Sequence, residues 1–157
     1  MRHYFGTKQQ LFVAGLQVGV DTDKMLGYIV EPGLDGLGVR FVTALTTVYE
    51  SSAGARLADS FRGSPELLHA FWTMISARLR DVGAQVLPGG RVGRERTLAQ
   101  VQAIMVGFVH ARYVDPTPPV AALSREDAVR TFGALLQAVL SPPDGRRHRG
   151  PDAHAGA

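Results

Sequence analysis

The stretch from Ser64 to Val86 commits this chain to helix. Ser64 is a capping residue, Pro65 suits the first helical position, and Glu66 places a negative charge at the positive end of the helix. Behind this start, Leu68, Phe71, Trp72, Ile75, Leu79 and Val82 recur at steps of three and four and mark one apolar side. The same period returns in several other segments. Almost nowhere do apolar and polar residues alternate at period two, and no internal repeat is visible. The expected fold is therefore all-α, a bundle in which each helix buries one stripe.

Punctuation between the stripes sets the expected order of elements. Thr7, with Gln10 three residues on, forms a capping box for a helix from about Lys8 to Val20, with Leu11, Phe12, Leu16 and Val20 inward. A short helix is expected over 22–30, ended by Pro32-Gly33. The next runs from about Leu34 to Ser51 on a stripe of Phe41, Leu45, Val48 and Tyr49. Gly54 is expected to break the chain, with a short piece over 55–62 closed by Gly63. After the helix over 64–86, Pro88-Gly89-Gly90 reads as a loop, and a helix follows over about 94–113. The breaker Asp115-Pro116-Thr117-Pro118-Pro119 precedes a last helix, started by Ser124 and Asp127 and running to Leu140, with Val129, Phe132, Leu136, Val139 and Leu140 on one side. Residues 144–157 hold no large apolar side chain, so 142–157 is expected to be a disordered tail. Within it, Arg146-Arg147-His148-Arg149 reads as solvated, with nucleic-acid contact as the other reading.

Composition narrows the function classes. A chain of 157 residues with 45% hydrophobic content is enough for one domain with a real core. No apolar run approaches the roughly 18 residues needed to cross a bilayer, and no signal peptide is evident, so no membrane partner and a cytoplasmic location are expected. Cysteine is absent, which removes disulfides, thiolate catalysis and cysteine-ligated metals. The net charge of +3 is mild, and the arginines are scattered rather than massed for phosphate binding. No G-x-S-x-G or Walker sequence occurs, and Gly33-Leu34-Asp35-Gly36-Leu37-Gly38 has the wrong spacing for a dinucleotide loop. The histidines are too dispersed for a structural metal site, and Asp21 and Asp23 read as turn and cap. Neither a catalytic centre, nor a metal, nor a cofactor is expected.

The last two helices are apolar beyond a single face. The helix over 94–113 shows Leu98, Val101, Met105, Phe108 and Val109 on one side and Ala99, Ala103, Val106 and Tyr113 on another. The last helix carries Ala128, Leu135 and Ala138 off its main stripe. In a domain this small, the second side is expected to meet another subunit, two helices from each chain forming a four-helix homodimer interface.

The opening residues carry the most specific pattern. In Arg2-His3-Tyr4-Phe5-Gly6-Thr7-Lys8-Gln9-Gln10-Leu11-Phe12, Gly6 can close one helix and Thr7 open the next. Lys8 then falls in a first turn, where the helix dipole disfavours a cation unless an anion also visits. Either Lys8 is a solvated lysine on an ordinary helix, or it holds a phosphate jointly with the free amides of the helix end.

Residues 3–12 resemble the end of the TetR-family helix-turn-helix domain: an aromatic/His pair, Phe, Gly, a small cap, Lys, a polar pair, then Leu-Phe. VQAIMVGFVHARY (101–113), the proline-rich break and the helix from Ser124 resemble that family's last two helices. The resemblance implies a TetR-like helical bundle over 21–141, for effector binding and dimerisation, behind a remnant of the DNA-binding domain over 1–20. It implies that His3, Tyr4, Thr7 and Lys8 contact the DNA backbone. Met1 then falls inside the recognition helix, and the supporting helices are missing from the pattern, so an incomplete DNA-binding head is expected, unable to read an operator by itself. A misplaced start and a cut-down regulator both fit.

The same resemblance places a pocket for a small apolar effector between the helices at 34–51, 64–86 and 94–113. Its candidate lining residues are Phe41, Leu45, Phe71, Trp72, Ile75, Gln102, Met105 and Val106, each equally readable as core packing. Gln102 and His110 are the candidate polar orienting groups, with His110 otherwise a hydrogen-bonded interior histidine. The function implied is a ligand-responsive, homodimeric transcriptional regulator. The alternative is a DNA-independent small-molecule-binding or dimerisation module that pairs with a full-length relative.

Overall fold

A computed structural model describes residues 22–141, and these form six α-helices with no strand among them. The helix expected from Lys8, the DNA contacts at His3, Tyr4, Thr7 and Lys8, and the tail after Ser141 lie outside the described residues. The helices are α1 (Thr22–Val30), α2 (Leu37–Tyr49), α3 (Ser52–Gly63), α4 (Pro65–Val86), α5 (Arg91–Val109) and α6 (Arg125–Leu140). A wider π turn, His110–Val114, extends α5, and a 3-10 turn, Val120–Ala122, lies between it and α6.

Two starts follow the sequence signals closely. Ser64 accepts a hydrogen bond from the Leu67 amide ahead of Pro65, and Ser124 accepts one from the Asp127 amide. Two others differ. α2 begins at Leu37 rather than Leu34 because the side-chain amide of Gln137 in α6 intervenes in its first turn. The Gly38 amide donates to Gln137 Oε1 at 3.0 Å, and Gln137 Nε2 donates to the Leu34 carbonyl at 3.0 Å. Those two backbone groups would otherwise bond each other in a helix. Arg40 donates to the carbonyls of Ile29, Gly33 and Asp35 and so ties down the α1–α2 connection.

The second difference is at Gly54, which was expected to interrupt the chain. Instead α3 runs straight through it from Ser52, with the Ser51 hydroxyl accepting from the Gly54 amide at 3.1 Å. Its glycine identity answers to packing: a Cβ there would overlap the Val48 carbonyl at the end of α2.

The core is one cluster. Ile29, Val42, Tyr49, Phe61, Phe108, Val109 and Leu136 are among its most enclosed members. Helices α2 and α6 pack closest of all. They meet where Gly38 faces Gly133, so near that a Cβ on Gly38 would overlap the Gly133 carbonyl oxygen and stand 2.6 Å from the Gln137 amide nitrogen. On α5, Val101, Met105, Phe108 and Val109 face inward, while Ala99, Ala103, Gly107 and His110 are exposed. On α6, Leu136 and Leu140 face inward, while Ala134, Leu135 and Ala138 are exposed. Two residues assigned above to the outer sides lie elsewhere. Ala128 is completely buried, and Tyr113 is partly buried, its ring stacked on Tyr49 within the same chain.

Candidate functional site

A cavity of about 100 Å³ lies between α1, α2, α4 and α5. Helix α1 contributes Met25, Leu26 and Ile29, and α2 contributes Phe41, Ala44, Leu45, Val48 and Tyr49 along its inner stripe. From α4 come Phe71, Trp72, Met74, Ile75, Arg78 and Leu79; Leu57 of α3 and Met105 of α5 complete the wall. A second void of about 40 Å³ shares Leu26, Ile29, Phe41 and Leu79 with the first.

The wall is almost wholly apolar. Arg78 is the one charged residue in it, and its guanidinium is held at 2.8 Å by Asp23 of α1 in a half-exposed ion pair. Three of the chain's four methionines, Met25, Met74 and Met105, take part in the lining. Unbranched thioethers adapt their shape to a guest, so such a wall is compliant. Phe71 makes an edge contact with Trp72, ring centroids 5.4 Å apart, and packs on Phe61 at 5.0 Å, which anchors the α4 side. Among the described residues no group of three or more His, Asp or Glu is arranged to hold a metal.

Behind Tyr49 lies a polar cluster. Its ring stacks on that of Tyr113, centroids 5.1 Å apart and planes 12° from parallel. The Tyr113 hydroxyl donates to Glu50 Oε1 at 3.1 Å and accepts from Arg112 Nε at 3.3 Å. Arg112 is largely enclosed and also donates to the Leu123 and Val120 carbonyls, at 2.9 and 3.3 Å, holding the segment that leads into α6. Arg125 at the start of α6 completes the group with an ion pair to Glu50 at 3.4 Å. The Tyr49 hydroxyl, by contrast, is buried with no hydrogen-bond partner. Burial, and then the neighbouring Tyr113, raise its pKa far above the ordinary phenol value, so it stays protonated.

The structure brings six of the nine sequence-expected effector residues together around the cavity: Phe41, Leu45, Phe71, Trp72, Ile75 and Met105. The other three are elsewhere. Gln102 lines a separate surface groove between α4 and α5, with Ser76, Arg80 and Glu95. Val106 is half-buried outside the cavity wall. His110 is exposed, which corrects the expectation of an interior histidine. These three follow one another at steps of four, on a line about 100° around α5 from Val101, Met105 and Val109. Sequence reasoning missed the α1 wall, because Thr22–Val30 is too short to show a stripe. It also took Tyr49 for plain core; the signal available was a phenol within an apolar stripe, which needs a partner for its hydroxyl.

The described residues thus form an all-α body with an apolar cavity between its helices and apolar residues left on the outside of its last two helices. A family model described as "Tetracyclin repressor-like, C-terminal domain" matches residues 35–140, and the chain belongs to the TetR family, whose members are transcriptional regulators and not enzymes. No curated protein and no solved structure gave a match. No helix among the described residues is long and apolar enough to cross a membrane.

Proposed function

We propose that this chain is the receptor and pairing body of a ligand-responsive, homodimeric transcriptional regulator acting in the cytoplasm. The observation that carries the reading is the apolar cavity walled by α1, α2, α4 and α5. An apolar space bordered by methionines suits a small apolar effector, held by burial of its surface rather than by a network of polar contacts. Helix α1 is part of that wall and follows directly on the opening segment whose residues His3, Tyr4, Thr7 and Lys8 resemble the family's DNA contacts. An effector that favours one placement of α1 over another alters how the DNA-binding heads of a dimer are presented.

Pairing is assigned to α5 and α6, whose outer surfaces expose Ala99, Ala103, Gly107, Ala134, Leu135 and Ala138. Leu135 is 47% exposed within the single chain, an apolar side chain that a partner would cover. Sedimentation equilibrium at micromolar concentration tests this: the expected species has twice the chain mass, and a monomer would remove the pairing role. For the DNA role, the protein carrying a complete family head is expected to bind duplex DNA with strong salt dependence. Lys8→Ala should weaken that binding on all sequences alike. Equal binding by the variant at moderate salt would refute the phosphate contact.

A further inference from the structure

The cavity wall contains one residue whose chemistry the fold does not use. Tyr49 is 4% exposed, and its hydroxyl is the buried side-chain polar atom left without a partner among the described residues. An unmet buried hydroxyl costs about 1–3 kcal/mol. Phenylalanine would keep the stacking on Tyr113 and the apolar contacts without that cost. Tyr113 shows that the fold can satisfy a phenol in this neighbourhood, since its own hydroxyl bonds to both Glu50 and Arg112.

We propose that Tyr49 is the polar anchor of the effector cavity: its hydroxyl donates a hydrogen bond to an oxygen acceptor on a neutral, otherwise apolar ligand about one ring in size. The inference rests on the receptor reading above and narrows it to a ligand class. Size follows from the volume. An apolar cavity of about 150 Å³ accommodates benzene; one of about 100 Å³ needs small shifts of its three methionines to admit a single ring, and the same shifts are needed to bring the ligand oxygen to the Tyr49 hydroxyl, which is fully enclosed as the cavity stands. Neutrality follows from the charges: Arg78 is the cation of the wall and already has Asp23 as its partner. A ligand carboxylate would therefore be desolvated without a free counter-charge. Donation by Tyr49 follows from its protonation, because burial holds the phenol in its neutral form.

The test compares two ring compounds of matched shape, cyclohexanone and methylenecyclohexane, with cyclohexanecarboxylate as the charged control. Binding to the wild-type chain and to Tyr49→Phe is followed through the methyl resonances of Met25, Met74 and Met105. The substitution is expected to weaken cyclohexanone by about threefold to tenfold relative to methylenecyclohexane. Without ligand, Tyr49→Phe should melt no lower than wild type. An unchanged ketone-to-hydrocarbon ratio would remove Tyr49 as the anchor while leaving the receptor reading intact. If neither neutral ring perturbed the methionine methyls of the wild type, the receptor reading would fall and the anchor with it. Tighter binding of the carboxylate than of the ketone, or loss of folding in Tyr49→Phe, would each overturn the proposal, the latter by revealing a partner for the hydroxyl inside the protein.

Discussion

Tyr49 and Tyr113 stack within 12° of parallel at 5.1 Å, yet their hydroxyls meet opposite fates. Tyr113 reaches Glu50 and Arg112; Tyr49 reaches nothing. One ring thus belongs to the polar cluster at the root of α6 and the other to the cavity wall.

This asymmetry predicts opposite responses to the same substitution. In the absence of ligand, Tyr49→Phe should stabilise the fold by about 1 kcal/mol, because it deletes an unmet buried hydroxyl. Tyr113→Phe should destabilise it by about 1 kcal/mol through the bonds it loses. Urea denaturation of both variants checks the signs, and equal shifts in one direction would contradict the assignment.

Alkaline pH should undermine the same pair. Burial is the main cause that raises the Tyr113 pKa to about 12, the Glu50 charge adding and Arg112 opposing, and burial also raises that of Tyr49. Both folded values lie above the unfolded value of about 10. The associated stability is therefore whole below pH 10 and is lost as pH climbs toward 12, because the unfolded chain gives up its protons first. Melting temperature measured across that window should fall more steeply for the wild type than for a Tyr49→Phe/Tyr113→Phe double variant; parallel curves would exclude the effect.

The α2–α6 crossing should tolerate no added bulk. Gly38→Ala puts a methyl against the Gly133 carbonyl and should cost about 1–3 kcal/mol. Gln137→Leu leaves the Gly38 amide and the Leu34 carbonyl without their side-chain partners and should cost a similar amount. Differential scanning calorimetry provides the measurement, and wild-type behaviour of both variants would show that the crossing is looser than described.

The proposed pairing can be tested apart from folding on α5 and α6. Ala103 and Leu135 are exposed, and a Cβ on Gly107 would meet open space within 4 Å in the single chain. Ala103→Arg and Leu135→Arg should leave the helical circular dichroism intact while converting dimer to monomer in sedimentation. Gly107→Ala should gain helix stability of about 0.8–1 kcal/mol in the subunit. Persistent dimers in both arginine variants would move the interface elsewhere.

Most of the bundle was legible because periodicity and caps act locally. Ser64-Pro65-Glu66 and Ser124 with Asp127 mark helix starts by bonds between near neighbours, and the stripes on α2 and α4 point at the cavity by geometry alone. What escaped was set by distant partners. No local signal announces that Gln137, about a hundred residues away, will occupy the first turn of α2. Gly54 reads as a breaker until the Val48 carbonyl lies against it. On α5, apolar residues surround the helix, so its inward line was ambiguous by one residue, and that rotation cost Gln102, Val106 and His110. The family resemblance in 101–113 fixed which helices these were but not how α5 turns within its subunit.

The bare contact of Gly38 with Gly133, reinforced by the Gln137 amide, makes α2 and α6 a single keel. A guest that swells the interior cannot push α2 away without dragging along the helix assigned to pairing. Helix α1 is held by less: it contributes only Ile29 to the fully buried apolar core, and its ties include the Arg40 bond to the Ile29 carbonyl and the exposed Asp23–Arg78 ion pair to α4. If the cavity takes a guest as proposed, α1 is therefore the wall expected to shift, while α2 and α6 keep their mutual placement.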